Sequence, residues 1–504
     1  MKRREFLKAA GGGVFTLASA SSVLSGKGSA NDSKPNLLFV FTDQQSWDMV
    51  GCYGNDQIKT PNIDKLAAEG LRFTHCVSSS PVCTPYRAML LSGQHPLYNG
   101  CMVCDIQMLR PKGTSFADML NAAGYHTGYV GKWHLYGGVR TRGIPAGPMR
   151  YGFDNEFFTN NCDLNYGADK AFYWSDDNKR VKFGKFESDG QTDQAVEFLD
   201  KYAGKKPFAL FVSWHPPHNW GPGPNWGYPA PAKYEKLYDA DKIKLRPGCP
   251  DTKKIRRDYR GHMALCTNVD DNFGRLIEKL KAMNVADNTI IVFTSDHGDI
   301  LRSRESIPVW EHKSHPQQIS CRVPLILRMG SKIKPRVSDM LIGSLDLMPT
   351  MLGLMGIKPP KTCQGSDYSK AIMADRDEVT ESVPMFFWRK NSDWRGVYTH
   401  RYTYAFEPSC TNKRINVLFD RENDPYELKN LFGLPEHKDL QARLHALTLD
   451  WMKKFKDEHI PWETIKHQIY VDPAAAKVRW EPYHVKSAAL KGRPIDLIKK
   501  AQGN

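Results

Sequence analysis

Four stretches of this chain end in the same way. "NLLFVFTD" (36–43), "HTGYVGKWHL" (126–135), "PFALFVSWHPPH" (207–218) and "NTIIVFTSDHGD" (288–299) are continuous apolar runs that close on acid–base or metal-capable side chains. Runs without polar alternation suit strands buried on both faces, as in a parallel sheet. Helical segments lie between them. "PNIDKLAAEG" (61–70) stops at a glycine, "SFADMLNAAG" (115–124) opens on a capping serine, and "QTDQAVEFLDKYAG" (191–204) follows the same pattern. The alternation predicts an α/β fold: a large mixed, mostly parallel sheet sandwiched by helices. Open sheets of this type bind ligands beyond the carboxyl ends of their strands. One polar ending would mean little. Four argue for a single site at one sheet edge, drawing on Asp43, Lys132, His134, His215, His218, Asp296 and His297.

The pattern changes near residue 385. "WRGVYTHRYTYAFEP" (394–408) and "INVLFDRENDPYELKNL" (415–431) alternate and carry turn signals, and "LQARLHALTLDWMKKF" then reads as a helix. The expected division is an α/β domain over 31–385 and a smaller α+β domain with an antiparallel sheet over 386–504, ending in a basic tail. At the other end, Arg3 and Arg4 precede a short apolar stretch rich in Gly and Ser. Residues 1–30 resemble a twin-arginine export signal, too short and polar to span a bilayer permanently. No other segment reaches transmembrane length, so an exported protein, periplasmic or extracellular, is expected.

The formal net charge is +15; five basic residues and one acidic residue among the first thirty supply +4, leaving +11 elsewhere. A surface that basic favours an anionic partner. With no nucleic-acid module in view, an acidic polymer is preferred to nucleic acid. The eleven cysteines are an odd number, so at least one stands outside any disulfide. "CMVC" (101–104) has metal-knuckle spacing but no second pair, which favours a structural role over zinc. Nothing in the sequence sets an oligomeric state.

"SSSPVCTPYRAMLLSG" (78–93) packs Cys83, Pro85 and Arg87 into five residues. A cysteine alone is usually a small buried hydrophobe. Here "PVCTPYRAMLLSGQHP" resembles the signature of the type I sulfatases, in the alkaline-phosphatase superfamily. The resemblance continues, in the family's order, through "PNLLFVFTDQQ", "TPNIDKLAAEG", "GYVGKWHL", "FVSWHPPH", "NVDDNFGRLIEKL", "VFTSDHGD", "RVPLILR" and "LFDRENDPYELKNL".

The resemblance implies that Cys83 is oxidised to formylglycine by a maturase reading Cys–x–Pro–x–Arg on the unfolded chain, Arg87 later holding the modified side chain. It implies a sulfuric ester hydrolase in which one hydroxyl of the hydrated aldehyde attacks sulfur and the other lets the sulfated intermediate collapse. Asp43, Gln44, Asp296 and His297 match the family's metal positions. The ion is usually calcium. A neutral Gln44 where many members carry Asp, and a nitrogen at His297 where many carry Asn, leave magnesium or a transition metal less excluded. Lys132 and Lys313 match sulfate-binding lysines and His134 the histidine beside the formylglycine. His218 matches the acid for the leaving oxygen, with His215 as its competitor. Around Lys313 the match is weaker, since "RSRESIPVWEH" replaces the family's glycine-rich approach. Gly298 and Asp299 are expected to shape a turn.

The sulfate subsite leaves the rest of the substrate open. Export, a basic surface and the aromatic stretch "HNWGPGPNWGYPAPAKY" (218–234) point to a glycan, with Arg140, Arg142 and Arg150 placed to meet neighbouring anionic sugars. The expected activity is exo-acting removal of sulfate from a sulfated polysaccharide or oligosaccharide. The alternatives are a plain arylsulfatase, a phosphonate or phosphodiester hydrolase, and, if Cys83 stays unmodified, an exported sulfoglycan-binding protein.

Overall fold

The structure, a computed structural model, describes residues 34–109, 113–137, 140–220, 227–303, 312–388, 393–408 and 415–458. The expected export signal and basic tail lie outside the described residues.

The main sheet is built from β1 (Asn36–Asp43), β2 (Leu71–Val77), β3 (His126–Lys132), β4 (Glu156–Asn160), β5 (Phe172–Trp174), β6 (Arg180–Lys182), β7 (Phe208–Pro217), β8 (Thr289–Ser295), β9 (Arg322–Val323), β10 (Leu325–Arg328) and β11 (Arg336–Gly343). Its order is β11-β2-β10-β8-β1-β7-β3-β4-β5-β6, with β9 paired to β2. The four apolar runs are the four central neighbours, β8-β1-β7-β3, and all are parallel. Every residue of β1, β7 and β8 is buried, so no solvent face imposes alternation. β10 runs antiparallel between β2 and β8, which makes the sheet mixed.

Side chains alternate between two cores, one on each face. Leu37, Phe39 and Phe41 of β1 pack with the helices Cys83–Ser92, Phe116–Ala122 and Ser344–Leu354. Leu38 and Val40 pack with Pro61–Glu69, Glu187–Tyr202 and Lys253–Ala282. Ser115 caps the helix Phe116–Ala122 with a full capping box: its hydroxyl accepts from Asp118 N, and the Asp118 carboxylate accepts from Ser115 N, each at 3.1 Å. The helix read at 191–204 begins earlier, at Glu187.

The second sheet is antiparallel, in the order β12 (Val383–Phe387), β13 (Trp394–Tyr398), β14 (Tyr402–Phe406) and β15 (Val417–Asp420). The helix Lys438–Lys454 packs on it through Leu444 and Leu447. β12 starts at Val383, inside the range assigned to the first domain. It supports the segment ahead of Cys83: Phe386 N donates to Ser79 O at 2.8 Å, and Val383 and Met385 share a core with Val77 and Val82. Among the described residues, none of the ten cysteines is in a disulfide, and no helix is long and apolar enough to cross a membrane.

Candidate active site

Parallel pairing brings the carboxyl ends of the central strands to one edge. Asp43 closes β1, Lys132 closes β3, His218 follows β7, and Asp296 and His297 follow β8. Cys83 reaches the same edge as the first residue of the helix Cys83–Ser92, all ten residues of which are buried. A helix start also offers unpaired backbone N–H groups and a partial positive charge, a suitable setting for an anion.

Arg87 lies four residues on, so its side chain shares a helix face with Cys83. It is buried and meets both acidic strand ends, with Nη2 3.2 Å from Asp43 Oδ2 and 3.2 Å from Asp296 Oδ2. Its Nη1 donates to Lys132 O at 2.8 Å and to Ser213 Oγ at 2.6 Å. This is the structural reason for an arginine one turn after the cysteine: it bridges β1 to β8 and ties both to β3 and β7.

Around the Cys83 sulfur stand Lys313 Nζ at 3.1 Å, His297 Nε2 at 3.2 Å and Asp43 Oδ1 at 3.7 Å. Lys313 Nζ also donates to His218 Nε2 at 2.9 Å, and Lys132 Nζ contacts Asp43 Oδ2 directly. His218 Nδ1 hydrogen-bonds Asn219 O at 2.7 Å and His297 Nδ1 hydrogen-bonds Gly298 O at 3.0 Å. With the proton on Nδ1 in each, both rings turn an Nε2 lone pair into the cluster.

One donor atom each from Asp43, Cys83, Asp296 and His297 lie within 4.8 Å of one another. Gln44 adds a carbonyl. Its Nε2 donates to Asn219 Oδ1 at 3.1 Å and Asp299 Oδ2 at 2.8 Å, while Oε1 is buried with no partner. Gln44 adopts φ 68°, a left-handed conformation that is uncommon for a residue other than glycine and concentrates at functional sites. Carboxylate and amide oxygens with one imidazole nitrogen fit a divalent cation.

The electrostatics are divided. Burial and Cys83 both raise Asp43, but Lys132, His218 and Lys313 hold it well below the ordinary carboxylate range. Asp296 is pushed up to about 6, by burial first and then by Asp43. Burial opposes ionisation of Cys83, yet the neighbouring Cys104 thiol and the charges of Lys132, Lys313 and His297 draw its thiol well below the usual range. Burial, then Lys313, lowers His218 to about 4.

His134 lies beside this centre, a ring nitrogen within 4.8 Å of the Cys83 and Cys104 sulfurs. Asp105 holds its Nε2 at 2.7 Å and is itself gripped by Arg140, at 2.7 and 2.8 Å. Burial works against charge on His134, but Cys162 and Asp105 push it up to about 10. His215 is fully buried, with Nδ1 2.7 Å from Glu187 Oε1. No described contact joins it to Cys83, whereas His218 stands in the cluster.

The sugar-facing expectations fare differently. Arg150 is 2% exposed, pairs with Asp176 at 2.6 Å and stacks on Phe157. Arg140 is committed to Asp105, and only Arg142 is exposed. Tyr228 and Tyr234 pack in a core, Tyr228 also donating to Asp299 Oδ2 at 2.6 Å, and Trp226 lies outside the described residues. Asp299 does shape its turn, accepting from Leu301 N at 2.7 Å. It also orients Gln44, a role its place in the sequence did not reveal. Asp105, Asn219 and Ser213 were missed as well; each acts through a neighbour brought by the fold.

The sulfatase family model matches residues 35–357, and that of the N-sulphoglucosamine sulphohydrolase C-terminal region matches residues 309–454. An ulvan-active sulfatase of Formosa agariphila is 32% identical, over 84% of this chain and 82% of its own. An endo-4-O-sulfatase of Bacteroides thetaiotaomicron is 28% identical over 90% of this chain and 98% of its own. A solved structure from work on the metabolism of multiple glycosaminoglycans by Bacteroides thetaiotaomicron is 27% identical with a TM-score of 0.76, covering 86% of this chain and 98% of that one. With a matching model over most of the chain and a relative above 30% identity, the chain belongs to the sulfatase family and is a sulfuric ester hydrolase.

Proposed function

We propose that this chain is an exported, exo-acting sulfatase of sulfated carbohydrates, working through a formylglycine at position 83 and a bound calcium ion. The observation that carries the reading is the setting of Cys83. Its sulfur lies 3.1 Å from Lys313 Nζ, 3.2 Å from His297 Nε2 and 3.7 Å from Asp43 Oδ1, at the edge where the four central strands end. The glycan assignment is supported by relatives named an ulvan-active sulfatase and an N-acetylglucosamine-6-O-sulfatase, and by the basic composition. Exo action is supported by the depth of the centre, where Cys83 is 2% exposed and His218 7%.

A formylglycine hydrate supplies two geminal hydroxyls, one to attack sulfur and one to expel sulfate. Asp43, Gln44, Asp296 and His297 would hold the divalent ion, which supplies polarisation of the sulfate oxygens. Lys132 and Lys313 bring ammonium groups to the oxygens where charge accumulates. His134, braced by Asp105, stands beside residue 83 to orient a hydroxyl. In the free site burial, and then Lys313, keep His218 deprotonated. A sulfate anion drawing that lysine away removes the second of these causes and adds a negative charge beside the ring, both of which favour a proton on His218 for the leaving sugar oxygen. Arg87 holds the two carboxylates in register throughout.

The test is mass spectrometry of the tryptic peptide "FTHCVSSSPVCTPYR" from chain made with a maturase, followed by assays on sulfated oligosaccharides, an aryl sulfate and a phosphodiester. Formylglycine at residue 83 with sulfate released from chain-end sugars is expected. Unmodified Cys83 despite a competent maturase, or turnover of aryl sulfate alone, overturns the proposal; release from internal sugars overturns its exo mode.

A further inference from the structure

The "CMVC" motif takes no part in the chemistry above, yet it ends at the centre of the site. The Cys104 sulfur lies within 4.8 Å of the Cys83 sulfur, in a cluster completed by His134. Cys83, together with burial, holds the Cys104 thiol well above its usual range. Its partner in the motif, Cys101, is fully buried in the first core and belongs to no such cluster among the described residues. Cys104 sits in an irregular segment between Cys101 and Leu109, outside any helix or strand. Asp105 there adopts φ 62° and its amide donates to Thr84 Oγ1 at 3.3 Å, which lays the segment against the first turn of the Cys83 helix.

We propose that Cys83 and Cys104 form a disulfide in folded chains whose Cys83 has escaped conversion, making Cys104 a modification site that competes for the catalytic position. The inference concerns the unconverted chain and does not rest on formylglycine ever being formed. A disulfide needs its sulfurs about 2.05 Å apart. The helix fixes Cys83, so the irregular segment carrying Cys104 closes the gap.

Burial sets the order of events. Cys104 is half-buried and Cys83 is 2% exposed, so an oxidant meets Cys104 first. With a small-molecule disulfide as oxidant, the Cys104 sulfur attacks it while its proton, which Cys83 and burial hold on the thiol, passes by way of the Cys83 sulfur to the departing thiolate, forming a mixed disulfide and releasing one thiol. The Cys83 sulfur then attacks Cys104, forming the S–S bond and releasing the second thiol. Two protein thiols are oxidised, one external disulfide is reduced to two thiols, and the two protons leave with them. The bond occupies the sulfur position beside Lys313 and closes the site against both sulfate and later modification.

The experiment uses full-length chain made in a host without a maturase, purified reduced, exposed to glutathione disulfide, alkylated and digested without reductant. The expected result is the peptide ending at Arg87 joined to the peptide beginning at Ala88, with fragment ions placing the bond between Cys83 and Cys104. The joined species persists in Cys101→Ser and disappears in Cys104→Ser. Free, alkylated Cys83 and Cys104 after oxidation overturn the proposal, as does a joined species that survives Cys104→Ser. The wild-type result stands on its own if a variant fails to fold.

Discussion

Arg87→Met removes the cation that two buried carboxylates share. Asp43 keeps Lys132 as a direct partner, but Asp296 is left with only the His297 ring at 3.4 Å among the described ion pairs. Taking one member from a buried ion pair costs about 3–5 kcal/mol, because the remaining charge stays desolvated. With an unfolding entropy of about 2.1 cal/mol/K per residue over about 400 ordered residues, the midpoint falls by roughly 4–6 °C. The assay is calorimetry of both chains made without a maturase, so that recognition of the Cys83 segment plays no part. In chelator the variant melts lower. Added calcium raises the variant more than the wild type, since the ion supplies part of the missing charge. Below pH 6 the gap narrows, because Asp296, pushed up to about 6 in the intact chain by burial and then Asp43, becomes neutral. A fall of less than about 1 °C at pH 7.5, equivalent to about 1 kcal/mol or less, would refute the idea that Arg87 holds the two strand ends together.

Three further outcomes follow from the same geometry. His218→Ala slows turnover of a sugar sulfate by about 10²–10⁴-fold but an activated aryl sulfate far less, because a nitrophenolate leaves unprotonated; equal losses on both rule out its role as acid. Against burial, Cys162 and then the Asp105 contact stabilise the charged imidazole of His134, whose folded value near 10 exceeds the ordinary 6.5. Their contribution is therefore complete below pH 6.5 and is lost as pH rises through about 10. Asp105→Asn should melt lower at pH 6.5 and show a flatter decline towards pH 10.5, and a steeper decline refutes the pairing. Gln44→Asn keeps a residue tolerant of positive φ but withdraws the carbonyl by one methylene. Calorimetric titration should show calcium binding weakened about tenfold, or about 1.4 kcal/mol, and unchanged affinity removes Gln44 from the ion's ligands.

The strands that carry the site were legible because they are buried on both faces, so Phe39, Val212 and Phe293 sit in unbroken apolar runs. The helix Lys253–Ala282 was harder to see. Its apolar stripe is pronounced, but the burial of Asp258, Asn268, Asp270 and Asn272 depends on partners from distant segments: Arg302, Asp189 and the amides of Asn62 and Ile63. Short outer strands such as Arg180–Lys182 carry no pattern long enough to read. At the centre, strand-end residues were visible from local sequence. Asp105, Asn219 and Asp299 were not, because each works by orienting His134 or Gln44 across the fold. Arg150 misled for a related reason: an arginine in a loop looks the same whether it faces solvent or, as here, lies buried over Phe157.

The enclosure of Cys83 has a consequence in time. One wall of its pocket, Lys313, lies 230 residues further along the chain. At about 5–20 residues per second, synthesis of that stretch takes roughly 10–50 s. During this interval the thiol is out of the ribosome and its pocket is still incomplete; afterwards it is sealed. Under the formylglycine proposal, a maturase acting on Cys83 therefore works against the pace of translation. On that proposal, slower codons between residues 84 and 313 raise the converted fraction without altering a single amino acid.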